Sequence, residues 1–446
     1  MKPADRSFFG HPPGLAVLAL TEGWAGFSFY GMQSLLVLYM TAQLLRPGHA
    51  EHVWGFSGFR AGLGLLAGPL SGAPLASAIM GLYAALIWAT PLLGGLLADR
   101  LLGRTRTIVL GCVLMTMGHF LLAFDASFLV ALACLLAGTG CAGSLKAQVG
   151  ALYGPADTRR ADAFQLYTLS VSVAVVLSPL VCGTLGERVA WHWGFAAAGI
   201  GMLLGLLTYL GGRRWLPREP VRGPARAASR LSAADMRVLL VLGLLLPVLA
   251  MASVGNMEVF NGYLLWGQAH YALAVAGHAL PVSWLVSLDA GFGILTLLLS
   301  MLFWRWWERR RRLPDEIVRL AMAGLLLALA PLVLVAAQVQ AGGQRIGLGW
   351  ALAFHLINDF GFSNLYPVGL ALYARLAPRA LGATVVNAYG LHLFLANLLV
   401  ARLAGLLGQI TGERFWLLHA ALIGLATVLL AGSAVLFRRV LAPGPS

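Results

Sequence analysis

Gly95-Leu-Leu-Ala-Asp-Arg-Leu-Leu-Gly-Arg-Thr-Arg106 closes one long apolar run and opens the next. A polar segment this short between two charge-poor stretches predicts a tight hairpin joining two membrane helices on the cytoplasmic side. Gly95 is expected to let two helix backbones approach closely, because it carries no Cβ. Asp99 is placed where a carboxylate can face a neighbouring helix N-terminus, and Arg100, Arg104 and Arg106 are expected to remain in water.

The composition agrees with a chain built for a bilayer. Of 446 residues, 59% are hydrophobic and 11% are charged, and the mean hydropathy is +0.81. No water-soluble packing buries so much apolar surface, so the chain reads as a polytopic membrane protein. A formal charge of +14 would suggest nucleic acid for a soluble protein. Here the basic residues fall in short loops between apolar runs, where they set orientation, and no nucleic-acid partner is expected. Cys112, Cys134, Cys141 and Cys182 lie inside apolar runs without ligand-like spacing, and they read as small packing residues. The charged Met1 to Arg6 precedes an apolar run that holds Glu22 and lacks a small-residue cleavage site, so the first helix is expected to be retained.

Runs long enough to span a bilayer fall at about 14–42, 75–98, 105–124, 127–151, 161–184 and 192–211. They resume at about 236–266, 281–306, 317–340, 346–375, 381–408 and 415–437. The expected fold is therefore all-α, with twelve transmembrane helices in two bundles of six, residues 1–212 and 236–446. The Arg-, Pro-, Ala- and Ser-rich stretch 213–235 is the cytoplasmic linker between them. Arg159 and Arg160, Arg309 to Arg312, Arg375 and Arg379, and Arg438 and Arg439 follow even-numbered helices or end the chain. Both termini are accordingly placed in the cytoplasm. Residues 43–74 form a long external connection to which the sequence gives no function. Helices 1, 7 and 10 are longer than a bilayer requires, which suits tilted or curved elements that rock during alternating access. Only Lys2 and Lys146 are lysines among 31 basic residues, a bias that fits a GC-rich bacterial source and placement in the cytoplasmic (inner) membrane.

The opening stretch resembles the signature loop of the major facilitator superfamily, which implies a gating role for Gly95, Asp99, Arg100, Gly103 and Arg104. Further stretches resemble the proton-dependent oligopeptide transporter family, also called POT or PTR. In the first half these are Phe27-Ser-Phe-Tyr-Gly-Met32, Leu35-Leu-Val-Leu-Tyr39, Pro91-Leu-Leu-Gly-Gly95, Gly183-Thr-Leu-Gly-Glu-Arg188 and Trp191-His-Trp-Gly-Phe195. The second half is patchier: Pro281-Val-Ser-Trp284 with Ser287, Pro367-Val-Gly-Leu370 and Ala377-Pro378. Bacterial members often insert two helices between the halves, for which this linker has no room. The family's first-helix motif of two glutamates and an arginine is reduced here to Glu22, with Ala25 and Gly26 at the other two places. Its fifth-helix asparagine is Ser172, and its tenth-helix glutamate and serine align with Phe362 and Tyr366. The family has a lysine where Lys146 stands, serving carboxylate binding or proton coupling, and an asparagine where Asp289 stands.

Read without the family, Lys146 is the most informative residue, because an ammonium inside a membrane span is costly and normally meets a partner or a wet cavity. Glu22 is its candidate partner. Ala25 and Gly26 leave space on the same helix, for a bulkier solute or for closer helix packing. Glu258, Asp289 and Asp359 give the second half an acidic wall, and with Glu22 they are the candidate proton carriers. Asp359 lies three residues before Phe362 and so shares its helical face, where it can replace the missing glutamate. Tyr30, Trp88, Tyr167, Asn261, Asn364 and Asn387 complete a candidate solute-binding set with Glu22, Lys146, Glu258 and Asp289. His355 and His392 are further titratable groups inside spans. No nucleotide loop, metal cluster or nucleophile–base arrangement is legible, so no enzyme and no cofactor beyond a proton gradient is expected.

The leading expectation is a monomeric, proton-coupled transporter importing a small zwitterionic or peptide-like solute. The alternative keeps the fold and changes the cargo to a siderophore or antibiotic-like compound, imported or exported. A third reading is a non-transporting receptor on the same scaffold.

Overall fold

The computed structural model describes residues 8–143, 145–154, 157, 159–217, 231–378 and 381–441. Arg379, the Asp99 side chain and the greater part of the linker lie outside the described residues.

Every predicted apolar run is helical. The first six are α1 (Pro13–Tyr39), α2 (Gly72–Leu97), α3 (Arg104–Leu121), α4 (Phe128–Ala142), α5 (Arg160–Ser178) and α6 (Trp191–Gly211). The second six are α7 (Ala233–Met257), α8 (Trp284–Glu308), α9 (Glu316–Ala341), α10 (Leu348–Leu376), α11 (Gly382–Tyr389 continued by Leu391–Leu403) and α12 (Gly412–Leu436). Among the described residues, nine stretches are long and apolar enough to cross a membrane. Helices α1, α3 and α10 complete the twelve. Helix α10 has 29 residues, about 43 Å at the α-helical rise against a hydrocarbon core of about 30 Å, as its apolar run predicts.

Residue contacts divide the chain into two units. The first comprises Met1–Gly72, Ala89–Gly223 and Pro281–Ser287; the second comprises Ala73–Trp88, Pro224–Leu280 and Leu288–Ser446. The boundaries thus fall inside α2 and α8 as well as in the linker.

Within the first unit, α1 packs on α5 and α6, and α3 packs on α4 and α6. Gly94, not the expected Gly95, is where backbones meet. A Cβ on Gly94 would run into the Gly140 carbonyl, whereas one on Gly95 would meet nothing within 4 Å. The difference is one of helical phase, since adjacent residues point about 100° apart and only one of the pair faces α4. After α2 the chain makes a π-turn over Ala98–Leu102, which Gly103 ends at φ 80°. That left-handed conformation lets α3 begin at once without strain. Arg100 and Arg106 are exposed and Arg104 is half-buried.

The external connection holds a 3-10 turn at Ala50–His52 and a helix at Phe56–Ala67. Asp125, at the turn between α3 and α4, ties it down. Its carboxylate accepts from the Tyr39 hydroxyl at 2.6 Å and from Gln43 Nε2 at 3.0 and 3.1 Å, and it lies 3.2 Å from His49 Nδ1. Trp54 N–H donates to the Ala126 carbonyl nearby.

In the second unit α9 packs along α10 and α12, and α7 against α11 and α12. Leu245, Leu249, Leu327, Leu365, Leu372, Ile423 and Leu430 form the buried centre. Ser232 and Asp235 close a capping box at the start of α7. Helix α7 breaks after Met257 into a 3-10 turn, Glu258–Phe260, and resumes as Gly262–His270. A two-stranded ribbon, Ala274–Val275 against His278–Ala279, leads to α8.

Candidate functional site

In the first unit, Glu22 sits half-buried on α1 with Lys146 as the cation and Tyr167 of α5 as the phenol acting on its carboxyl. Lys146 lies in a short helix, Leu145–Ala151, that follows α4 and packs on α1. Its side chain is exposed, while the Tyr167 ring is buried. The charge of Lys146 acts on Glu22, but among the described residues the two form no direct ion pair. The small residues beside Glu22 are taken up by packing: a Cβ on Gly26 would sit 3.4 Å from that of Ala174, and one on Gly23 would sit 3.4 Å from the Ser170 carbonyl. Helix α5 fills the space that a bulkier solute would have needed.

The carboxylates of the second unit do not form one wall. They separate into two clusters, each with its own imidazole. Glu258, fully buried in the turn that breaks α7, lies 3.7 Å from His419 Nε2 of α12. Gly262 makes room for it, since a Cβ there would lie 2.5 Å from Glu258 Oε1. His419 Nδ1–H is held by the Phe415 carbonyl at 2.8 Å, which turns Nε2 towards the carboxyl. The second cluster joins α8 to α10. Asp289 Oδ1 is 2.9 Å from His355 Nδ1, and ligand atoms of Asp289, His355 and Asp359 all lie within 4.8 Å of one another. Donors so close can share one proton or one cation. On its far side His355 Nε2 meets the Tyr263 hydroxyl at 3.0 Å, and that hydroxyl meets Tyr271 at 3.3 Å. Asn358 Nδ2 donates to Asp359 Oδ1 at 3.3 Å.

The remaining candidates are dispersed. Asn364 is occupied internally: its Oδ1 accepts from Ser300 at 2.8 Å and Trp304 Nε1 at 2.6 Å, and its amide donates to the Phe360 carbonyl. Asn261 donates to the Ser77 carbonyl at 3.0 Å, joining the break in α7 to the first half of α2. Trp88 and Asn387 are exposed, and Tyr30 is half-buried against Phe29. His392 is buried, with Nδ1 on the Tyr389 carbonyl.

His419, Tyr263 and Tyr271 were missed by sequence reasoning. The carboxyl partners of His355 and His419 lie 66 and more than a hundred residues away, and an isolated histidine in an apolar run carries no spacing signal. The motif Gly183-Thr-Leu-Gly-Glu-Arg188 also finds a use. Glu187 accepts the Val282 and Ser283 N–H groups, each at 2.9 Å, and Thr184 Oγ1 accepts from Trp284 Nε1 at 3.0 Å. A Cβ on Gly183 would collide with the Ser283 side chain.

Comparison with known proteins bears on this arrangement. A family model described as "POT family" matches residues 105–234. A di-/tripeptide transporter of Lactococcus lactis is 29% identical, the match covering 93% of this chain and 79% of that one. The peptide transporter YePEPT of Yersinia enterocolitica is 28% identical over 91% of this chain and 89% of its own. A crystal structure of a mutant of the peptide transporter POT, in complex with alafosfalin, superposes with a TM-score of 0.85 at 25% identity, covering 99% of this chain and 98% of the other. The chain is thus similar to peptide transporters along most of its length, and residues 105–234 match the POT family model. The architecture is that of the major facilitator superfamily, with twelve membrane helices in two bundles of six. It is a multi-pass membrane protein.

Proposed function

We propose that this chain is a POT-family transporter that imports a small zwitterionic, peptide-like solute across a bacterial cytoplasmic membrane, driven by protons and acting as a monomer. The observation that carries the reading is an acid on α1, Glu22, close enough to the cation of Lys146 for its charge to be felt. Ionisable groups on membrane helices are costly and are retained where they bind or move charge. Lys146 supplies the cation for a solute carboxylate, and releasing Glu22 from that cation links solute binding to a change in its charge. The carboxyls of the second unit, Asp289 and Asp359 foremost, offer the proton sites that α1 lacks beyond Glu22. The names of the relatives above support a peptide-like cargo.

Counterflow of radiolabelled dialanine in proteoliposomes tests the solute, because exchange needs no driving force. The expected result is accumulation that Lys146→Ala abolishes. Asp359→Asn should leave counterflow intact and abolish accumulation driven by an inward proton gradient. Absence of counterflow with folded protein and a panel of di- and tripeptides would overturn the peptide reading. It would direct screening to siderophores and antibiotic-like compounds, which the altered positions Ser172, Phe362 and Tyr366 favour.

A further inference from the structure

We infer that Tyr271, Tyr263, His355, Asp289 and Asp359 form a hydrogen-bonded path that carries a proton from the end of the second segment of α7 to the Asp289–Asp359 pair. The inference rests on the proton-driven reading above and names the route by which the pair is loaded. Each link is a titratable group within reach of the next: Tyr271 to Tyr263 hydroxyls at 3.3 Å, Tyr263 hydroxyl to His355 Nε2 at 3.0 Å, and His355 Nδ1 to Asp289 at 2.9 Å. Asp359 then lies within 4.8 Å of both His355 and Asp289. Its Oδ1 is taken by Asn358, while Oδ2 is buried without a hydrogen-bond partner among the described residues. That oxygen is the atom left to receive the proton, and burial without a donor is expensive unless it does.

The chemistry balances link by link. A phenol donates one hydrogen bond and accepts another, and imidazole gains a proton on one nitrogen while giving one up from the other. A proton entering at Tyr271 therefore displaces one from Tyr263 to His355 Nε2. The Nδ1 proton passes to Asp289 and thence to Asp359, which ends one proton richer; each relay group keeps its proton count, with His355 left as the Nε2–H tautomer until the proton positions of the ring and hydroxyls are reset. Two carboxyls this close resist ionising together, so the pair holds a single proton until an opening of the site removes it.

Few charged groups border the path. The groups acting on Tyr263 are Tyr271, Asp289 and Asp359, and those acting on Asp359 are Asp289 and Asn358. From α7 and α12 the nearby titratable groups are His270, stacked on Trp266, and Glu258 and His419, 3.7 Å from one another, while Arg345 donates to the Tyr271 carbonyl at 3.1 Å. Helix α9, packed along α10, presents Leu327 at Gly361. The rings of Phe354, Trp266 and Trp416 surround Tyr263, with centroids 4.9, 6.5 and 6.3 Å away. An apolar sleeve of this kind keeps water from short-circuiting a relay.

The test is infrared spectroscopy of the full chain in lipid nanodiscs, following the C=O band of protonated carboxyl and its shift when H₂O is replaced by D₂O. The expected result is a band that Asp359→Asn removes, and whose deuterium exchange slows by about tenfold or more in Tyr263→Phe and His355→Gln. Tyr263→Phe keeps the ring that stacks on Phe354, so folding is preserved, and it should leave the pH midpoint of the band in place. Exchange as fast in both variants as in the unmodified chain overturns the path. A band indifferent to Asp359→Asn overturns the site, and protein isolated with a stoichiometric divalent ion there overturns it in favour of a metal centre. No solute is used, so this measurement and dialanine counterflow can fail separately.

Discussion

Asn364 and Asn387 are the same residue type in one unit, in opposite environments. Asn364 has both ends of its amide engaged, and it holds Ser300 and Trp304 of α8 to α10, whereas Asn387 is exposed. Asn364→Ala leaves two buried donors without an acceptor and is expected to destabilise the protein by about 1–3 kcal/mol. Asn387→Ala should change stability by no more than about 0.5 kcal/mol. Thermal unfolding of the two variants in one detergent checks both. From the sequence the pair looked alike, because an amide in an apolar run shows its type but not its partners. Lys146 and Glu22 were legible for the opposite reason: a membrane span tolerates so few charges that each one announces itself. His355 was visible only as a titratable group without a partner, and His419 not at all, since neutral imidazole is cheap enough to bury without any accompanying pattern.

At the level of elements, the apolar runs located the twelve long helices, since length and hydropathy are what a bilayer constrains. They did not reveal the π-turns at Met40–Leu44, Ala98–Leu102 and Pro179–Gly183, the break at Glu258–Phe260, or the helix Phe56–Ala67. Those features depend on backbone hydrogen bonding and on contacts with other segments, to which an apolar run is indifferent. The contact of α2 with α4 shows the same limit, with the needed glycine displaced by one residue from its expected place. Gly94→Ala should fail to reach native packing or lose about 1–3 kcal/mol, while Gly95→Ala should be tolerated. Expression level and monodispersity on size exclusion, read side by side, distinguish the two.

For the whole molecule, the sequence divided the chain at the linker, and the contacts divide it there as well as inside α2 and α8. A run of apolar residues cannot show that its two ends belong to different units. Orientation rests on charge. Arg309 to Arg312, after α8, should face the cytoplasm, and so should both termini. Alkaline phosphatase fused at the chain end or after Arg312 is expected to be inactive, and fused near Gly277 or Gly343 to be active; the reverse pattern would invert the topology. Orientation, oligomeric state and direction of transport are properties of the chain in its membrane, and only the first leaves a mark in loop composition.

The rings around Tyr263 have an optical consequence. Trp416 lies 6.3 Å from Tyr263 and 5.3 Å from His419, and Trp266 is stacked on His270 at 4.9 Å. Indole emission is quenched by a neighbouring imidazolium and shifts with local polarity, so two native fluorophores already stand beside both carboxyl–imidazole clusters. Tyrosine excitation feeding Trp416 would report on one cluster and direct tryptophan quenching on the other, letting the chain signal its own protonation without an attached dye.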